Sequence, residues 1–183
     1  MITPDTKDWT WVLSRPCPDC GLDASSVPRE AVAGLLRANA AAWTGLLAGG
    51  SADGGELRRR PDPGTWSPLE YACHVRDVFR LFAVRLDLML TRERPLFPNW
   101  DQDATAEAER YGEQDPAAVA AGLAAAAESL AAAFDRVGGD RWRRTGDRSD
   151  GASFTVESFA RYLLHDPVHH LWDVTGTPAA RPS

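Results

Sequence analysis

Four histidines and three cysteines carry most of the chemical potential of this 183-residue sequence. His74 stands alone in mid-chain, whereas His165, His169 and His170 crowd together near the C-terminal end. A separation of four puts the His165 and His169 rings on one side of an α-helix, where a third ligand from a neighbouring helix completes one face of a metal site. His74 is that third ligand by elimination. Asp166 and His170 have the same four-residue spacing but point roughly 100° further round the helix. Three neutral imidazoles leave coordination positions open for water or substrate, as catalytic rather than closed structural sites do. Imidazole suits Zn, Fe, Ni and Cu alike, so the expected cofactor is a divalent transition metal, with Zn or Ni first. The competing reading is that histidines on a part-apolar helix are hydrogen-bonded core residues.

Cys17-Pro18-Asp19-Cys20-Gly21 resembles half of a zinc knuckle, because two thiolates two residues apart can converge on one ion. A closed zinc site would need Cys73, a histidine or the arm of a second subunit. A redox or disulfide pair, or inert thiols, fit the same spacing. Cys73 itself, adjacent to His74, reads as a small buried apolar residue. Around the predicted site, Trp172 lies three residues beyond His169 and is placed to wall a pocket, as His170 is. Asp77, one turn beyond His74, either orients a ligand or is an exposed helix carboxylate. Asn39 is a polar group on an apolar helical face, and Trp43 either lines an aromatic pocket or fills the core.

These residues need helices to position them. Pro28 to about Ala48 carries Val32, Leu35, Leu36, Asn39, Trp43, Leu46 and Leu47 along one face. Ser67-Pro68-Leu69-Glu70 is a capping box with proline at the first helical position, and opens a helix expected to reach Thr91. Asp115-Pro116 opens a third, in which eleven of the seventeen residues from Ala117 to Ala133 are alanine, the strongest helix former. A fourth begins after Thr155 and ends at Gly176, with Pro167 inside it as the place to expect a bend. Ala104 to Tyr111 fits a short helix within the long link between the second and third. No strand alternation or hairpin signal competes. The predicted fold is therefore all-α, a four-helix bundle over residues 28–176 with an irregular arm at 1–27 and a short tail at 177–183.

Composition narrows the partners. Acidic residues outnumber basic ones 26 to 20, giving a net charge of −6, and Arg58-Arg59-Arg60 is the one run of cations. Nucleic acid is therefore not an expected partner, and the arginine run reads as a solvated helix end without a role. No run approaches the roughly 20 apolar residues of a membrane span, and the first residues lack a signal-peptide layout, so the expectation is a cytoplasmic protein without membrane contact. Only Lys7 among the twenty basic residues is a lysine, the skew of a GC-rich coding sequence.

Trp66-Ser67-Pro68-Leu69-Glu70 leading to His74 and Asp77, with His165-Asp166-Pro167-Val168-His169-His170 near the end, resembles the DinB/YfiT-like superfamily over roughly residues 28–176. The resemblance implies a four-helix bundle with a divalent metal held by one histidine of the second helix and an HxxxH pair of the last. Carried over, the ligands fall on His74, His165 and His169. Pro167 and the cysteine-bearing arm depart from the simplest family pattern. Related proteins include bacillithiol transferases and mycothiol-dependent maleylpyruvate isomerases, which implies activation of a low-molecular-weight thiol, mycothiol in a GC-rich host, or of water towards a small electrophilic substrate. A non-enzymatic metal- or ligand-binding protein of stress responses is the alternative. The apolar outer faces of such bundles lead to the expectation of a homodimer.

Overall fold

Three helix starts are fixed by side chains that satisfy the free N–H groups of a first turn. Ser67 and Glu70 close the reciprocal capping box ahead of Pro68. Asp115 accepts from the amides of Ala117 and Ala118, and Thr155 pairs with Ser158. The structure is a computed structural model that describes residues 8–50 and 55–179; positions 1–7 of the arm, 51–54 and tail positions 180–183 lie outside the described residues. In chain order the elements are α1 (Val32–Ala48), α2 (Gly55–Arg58), α3 (Pro68–Thr91), β1 (Leu96–Phe97), α4 (Gln102–Ala108), α5 (Pro116–Asp135), β2 (Thr145–Arg148), β3 (Ser153–Thr155) and α6 (Val156–Thr175).

The long helices α1, α3, α5 and α6 make the bundle the sequence predicts, with α1 and α3 each packed on both α5 and α6. Leu36, Trp43, Phe79, Leu86, Leu123, Leu130 and Leu163 are fully buried between them. The helical period of these positions is what drives the packing, since each apolar stripe must find a partner. Among the described residues, the exposed large apolar side chains are Leu35, Val84 and Leu96, on three separate elements. Two helical stretches, Arg29–Ala48 and Pro116–Asp135, are long and apolar enough by composition to span a membrane, which corrects the expectation that no such run exists. Small alanines carry much of that apolar character in α5, while its Val119, Leu123, Leu130 and Phe134 are buried in the bundle.

Three features depart from expectation. A small sheet is present, with β1 parallel to β2 and β2 antiparallel to β3. Its strands are too short and too polar to show alternation. Gly146 lets β2 lie against the bundle, because a Cβ there would meet Met89 and Phe97 at 2.9 Å. Second, the arginine run is not idle: Arg58 donates to the Gly112 carbonyl at 2.6 Å, and Arg60 pairs with the buried carboxylate of Glu70. Third, α6 runs through Pro167 without ending. The Pro167 carbonyl accepts from both Asn39 Nδ2 (3.1 Å) and Trp43 Nε1 (3.2 Å), which fastens this stretch of α6 to α1.

Candidate metal centres

Consecutive positions on α6 present two different ligand pairs to two different surroundings. His165 and His169 face the N-terminal arm, and Asp166 and His170 face α3. The structure accordingly divides the expected trio: His165 and His169 gather with Cys17 and Cys20, while His74 gathers with Asp166 and His170. In each group, one ligand atom per residue lies within 4.8 Å of all the others.

The first centre joins α3 to α6. His74 Nε2 lies 3.4 Å from both carboxylate oxygens of Asp166, and His170 Nε2 lies 3.8 Å from Asp166 Oδ2. A separation of about 3.4 Å is the edge of a tetrahedron with bonds of ~2.1 Å, the length of zinc–nitrogen and zinc–oxygen bonds. His170 Nδ1 lies 2.8 Å from Asp173 Oδ2. A carboxylate only accepts, so the proton sits on Nδ1 and the Nε2 lone pair faces the cluster. Burial alone would raise the Asp166 carboxyl, but the imidazoles of His74 and His170 overcome it and hold it down to about 2. Asp166 Oδ1 and His74 Nδ1 are buried with no hydrogen-bond partner. Two imidazoles and one carboxylate, with a carboxylate oxygen unsatisfied and one imidazole oriented from behind, fit a divalent transition metal with positions left open.

That open side gives onto a cavity of about 1060 Å³. Trp100 stacks on His74 with ring centroids 5.3 Å apart and planes 10° apart, and Trp66 leans on the same imidazole at 5.2 Å. Trp100 comes from the long link between α3 and α5, held by its indole N–H donating to Thr105 Oγ1 of α4 at 2.8 Å. The cavity wall also carries Arg85 and Arg148. Arg148 pairs with Asp150 at 2.7 Å and donates to Tyr162. Arg85 is buried, donates to the Pro98 carbonyl, and leaves its Nε without a partner. Burial, followed by the charge of Arg148, pulls its guanidinium down to about 10. A buried guanidinium with an unused donor, in a cavity beside a metal-ligand cluster, is equipped to receive an anionic group.

The second centre is buried. Cys17, Cys20, His165 and His169 have residue exposures of 1%, 0%, 3% and 8%. Burial pushes the Cys20 thiol up to about 12, against the Leu22 amide, which favours the thiolate. Burial also draws His165 down to about 4, so its imidazole is neutral at pH 7, and lowers His169.

The remaining predicted residues take other places. Trp172 packs against His169 at 5.4 Å and walls the second centre rather than the cavity. Asn39 and Trp43 hold Pro167 and do not line the cavity. Asp77 is a hub for Arg76, Arg80 and the Tyr111 hydroxyl, also away from the cavity. Cys73 is buried, as expected. Sequence reasoning passed over Asp173, although its spacing of three and four from His170 and His169 puts it within reach of both rings. It also passed over Arg85 and Trp9, whose positions depend on tertiary packing, whereas Trp66 and Trp100, two of the tryptophans that could line an aromatic pocket, do line the cavity.

The sequence model of the DinB superfamily matches residues 36–174. A solved structure described as "YfiT from Bacillus subtilis is a probable metal-dependent hydrolase with an unusual four-helix bundle topology" is similar to this chain, with a TM-score of 0.73 and 20% identity over 82% of this chain and 87% of that one. No curated protein matches.

Proposed function

The chain belongs to the DinB superfamily, and from that premise we propose that it is a metal-dependent enzyme whose reaction takes place at His74, Asp166 and His170. Zinc or nickel is the metal proposed. A divalent ion held by these ligands supplies a Lewis acid that brings the pKa of a coordinated water or thiol towards neutrality. The protein's share is positioning. His170 is oriented by Asp173, and His74 is held by Trp100 stacked on its ring and Trp66 tilted against it. Arg85 and Arg148 receive the anionic part of the substrate.

What carries this reading is the conjunction of a ligand triad with an unsatisfied carboxylate oxygen and a large cavity on its open side. A volume of about 1060 Å³ is at the upper end for a small-molecule site. It gives room for a low-molecular-weight thiol together with a small acceptor, which favours thiol transfer or thiol-assisted isomerisation over simple hydrolysis. Mycothiol is the thiol proposed, on the coding skew of the sequence. The YfiT likeness supports a metal-dependent bundle and makes water the competing nucleophile to test.

The test is a panel of anionic electrophiles and activated esters offered to the metal-loaded protein with and without mycothiol. The expected result is metal-dependent consumption of thiol and electrophile together, lost in His170→Ala. Arg85→Gln should raise KM for anionic acceptors about 10–100-fold, the loss of one charge-assisted contact, with little change in metal content. Ester cleavage independent of thiol would replace the transferase reading with a hydrolase. A metal-loaded protein no more active than His170→Ala on any member of the panel would sink the enzyme reading.

A further inference from the structure

We propose that Cys17, Cys20, His165 and His169 form a second, closed metal site, a tetrahedral zinc clamp that fastens the N-terminal arm to α6. It does not depend on the activity proposed above.

The donor set is that of a structural zinc site, two thiolates and two imidazoles with no position left for substrate. Cys17 Sγ lies 3.6 Å from His169 Nδ1. Bonds of ~2.3 Å to sulfur and ~2.05 Å to nitrogen at tetrahedral angles separate the two ligand atoms by about 3.6 Å. His165 Nε2 is buried with no hydrogen-bond partner, although an imidazole nitrogen so placed ordinarily has one. A shared cation gives that nitrogen and both thiols a reason to be buried together.

The arm is folded for the purpose. Cys17 N–H donates to the Leu22 carbonyl at 2.9 Å and Gly21 N–H to the Cys17 carbonyl at 3.0 Å, so residues 17–22 form a tight loop. Gly21 has φ +77°, a conformation that side chains resist, and it turns the chain back directly after Cys20. The far end of the chain is drawn in too, since Ala179 N–H donates to the Cys20 carbonyl at 2.7 Å. Packed over the histidines is Trp9, with its ring centroid 5.1 Å from each of His165 and His169, and the same residue forms part of the cavity wall. Trp9, His165 and His169 all line the neighbouring cavity, so the clamp sets one wall of it.

The experiment uses the full-length protein loaded with zinc, and separately with cobalt. Wild type should hold about two zinc ions per chain, one at each centre. Cys17→Ser/Cys20→Ser and His74→Ala/His170→Ala should each hold about one. Cobalt-loaded wild type should show the intense near-ultraviolet thiolate-to-cobalt charge-transfer band together with tetrahedral visible bands. His74→Ala/His170→Ala should keep the charge-transfer band and Cys17→Ser/Cys20→Ser should lose it. Wild-type cobalt spectra decide the matter even if a variant fails to fold. Absence of the thiolate band from cobalt-loaded wild type, or a Cys17–Cys20 disulfide in zinc-loaded protein by intact mass, would overturn the clamp. Loss of the single remaining zinc on mutating His74 and His170, with no thiolate band in wild type, would overturn it while leaving the catalytic centre standing.

Discussion

Two ligand pairs offset by one residue on α6 meet opposite fates. His165 and His169 are covered by the arm, buried beside two cysteines and walled by Trp9 and Trp172. Asp166 and His170 face His74 of α3, and the large cavity reaches both pairs. Helical geometry supplies both from one sequence stretch, because a step of one residue turns a side chain by about 100°. What distinguishes them is what packs opposite. A thiolate pair saturates one centre and leaves it a fastener, whereas a single histidine from α3 leaves the other able to bind something else. HxxxH spacing alone therefore does not say whether a centre is structural or reactive; the number of ligands brought by the rest of the chain does.

The sharpest way to break this contrast is to delete ligands from each centre in turn and compare. His170→Ala should lower kcat/KM by ~10³-fold or more, since a lost Lewis acid is worth several kcal/mol, while costing less thermal stability than loss of the clamp, whose ion also fastens the arm to α6. Removing the arm's ligands should do the reverse. A ligand bound only by the folded chain at about 1,000 times its Kd stabilises by about 4 kcal/mol. For a chain of this size that is roughly 8–16 °C in Tm. Scanning calorimetry of Cys17→Ser/Cys20→Ser, with limited proteolysis at the arm, reads the effect. Equal losses of activity and stability in the two variants would show that the centres are one functional unit.

Much of this architecture is legible in the sequence, for local reasons. Ser67 with Glu70, Asp115 before Pro116 and Thr155 each announce a helix start through their own hydrogen bonds, and all three helices begin there. The α6 ligands are legible as spacing. Which pair meets His74 is not, because it depends on the rotation of α6 about its axis, set by distant contacts such as Asn39 and Trp43 on the Pro167 carbonyl. The three strands pair between segments that carry no local signal, about 50 residues apart in the case of β1 and β2. The same holds for Arg60, whose partner Glu70 serves as a helix cap and as an ion-pair acceptor at once.

Asp173 tests how far the two centres share an outer layer. Its Oδ2 lies 2.8 Å from His170 Nδ1, while its Oδ1 lies 3.8 Å from His169 Nε2. Asp173→Asn keeps an acceptor but removes the charge that raises imidazole basicity. Metal affinity at the open centre should fall about 10–100-fold, the usual cost of losing a carboxylate behind a histidine ligand. The clamp should lose less, because its contact is longer and two thiolates share the work. Chelator competition on single-centre variants measures each affinity, and equal losses would show that the 1 Å difference in contact has no energetic weight.

The smallest expected effect on either centre comes from a carboxylate that belongs to neither. Burial alone would raise the carboxyl of Asp77, but hydrogen bonds from Arg76 and Tyr111, then the charges of Arg76 and Arg80, overcome it and hold it below its ordinary 3.8. Its folded value is therefore lower than its unfolded one, so the unfolded chain takes up the proton first as pH falls. The stabilisation is complete above the ordinary carboxylate range and is lost as pH drops through the folded value. Asp77→Asn should cost about 1–3 kcal/mol at pH 7, the worth of hydrogen bonds to a charged group. The Tm gap between wild type and variant should close as the pH is taken below about 4. Metal content and kcat/KM should stay at wild-type levels throughout, since Asp77 packs against Arg76 and Tyr111 and not against either cluster. A variant that instead lost metal at the open centre would mean that the α3 face carrying His74 is positioned through Asp77, one turn further along, and that the boundary between scaffold and site lies deeper in the bundle.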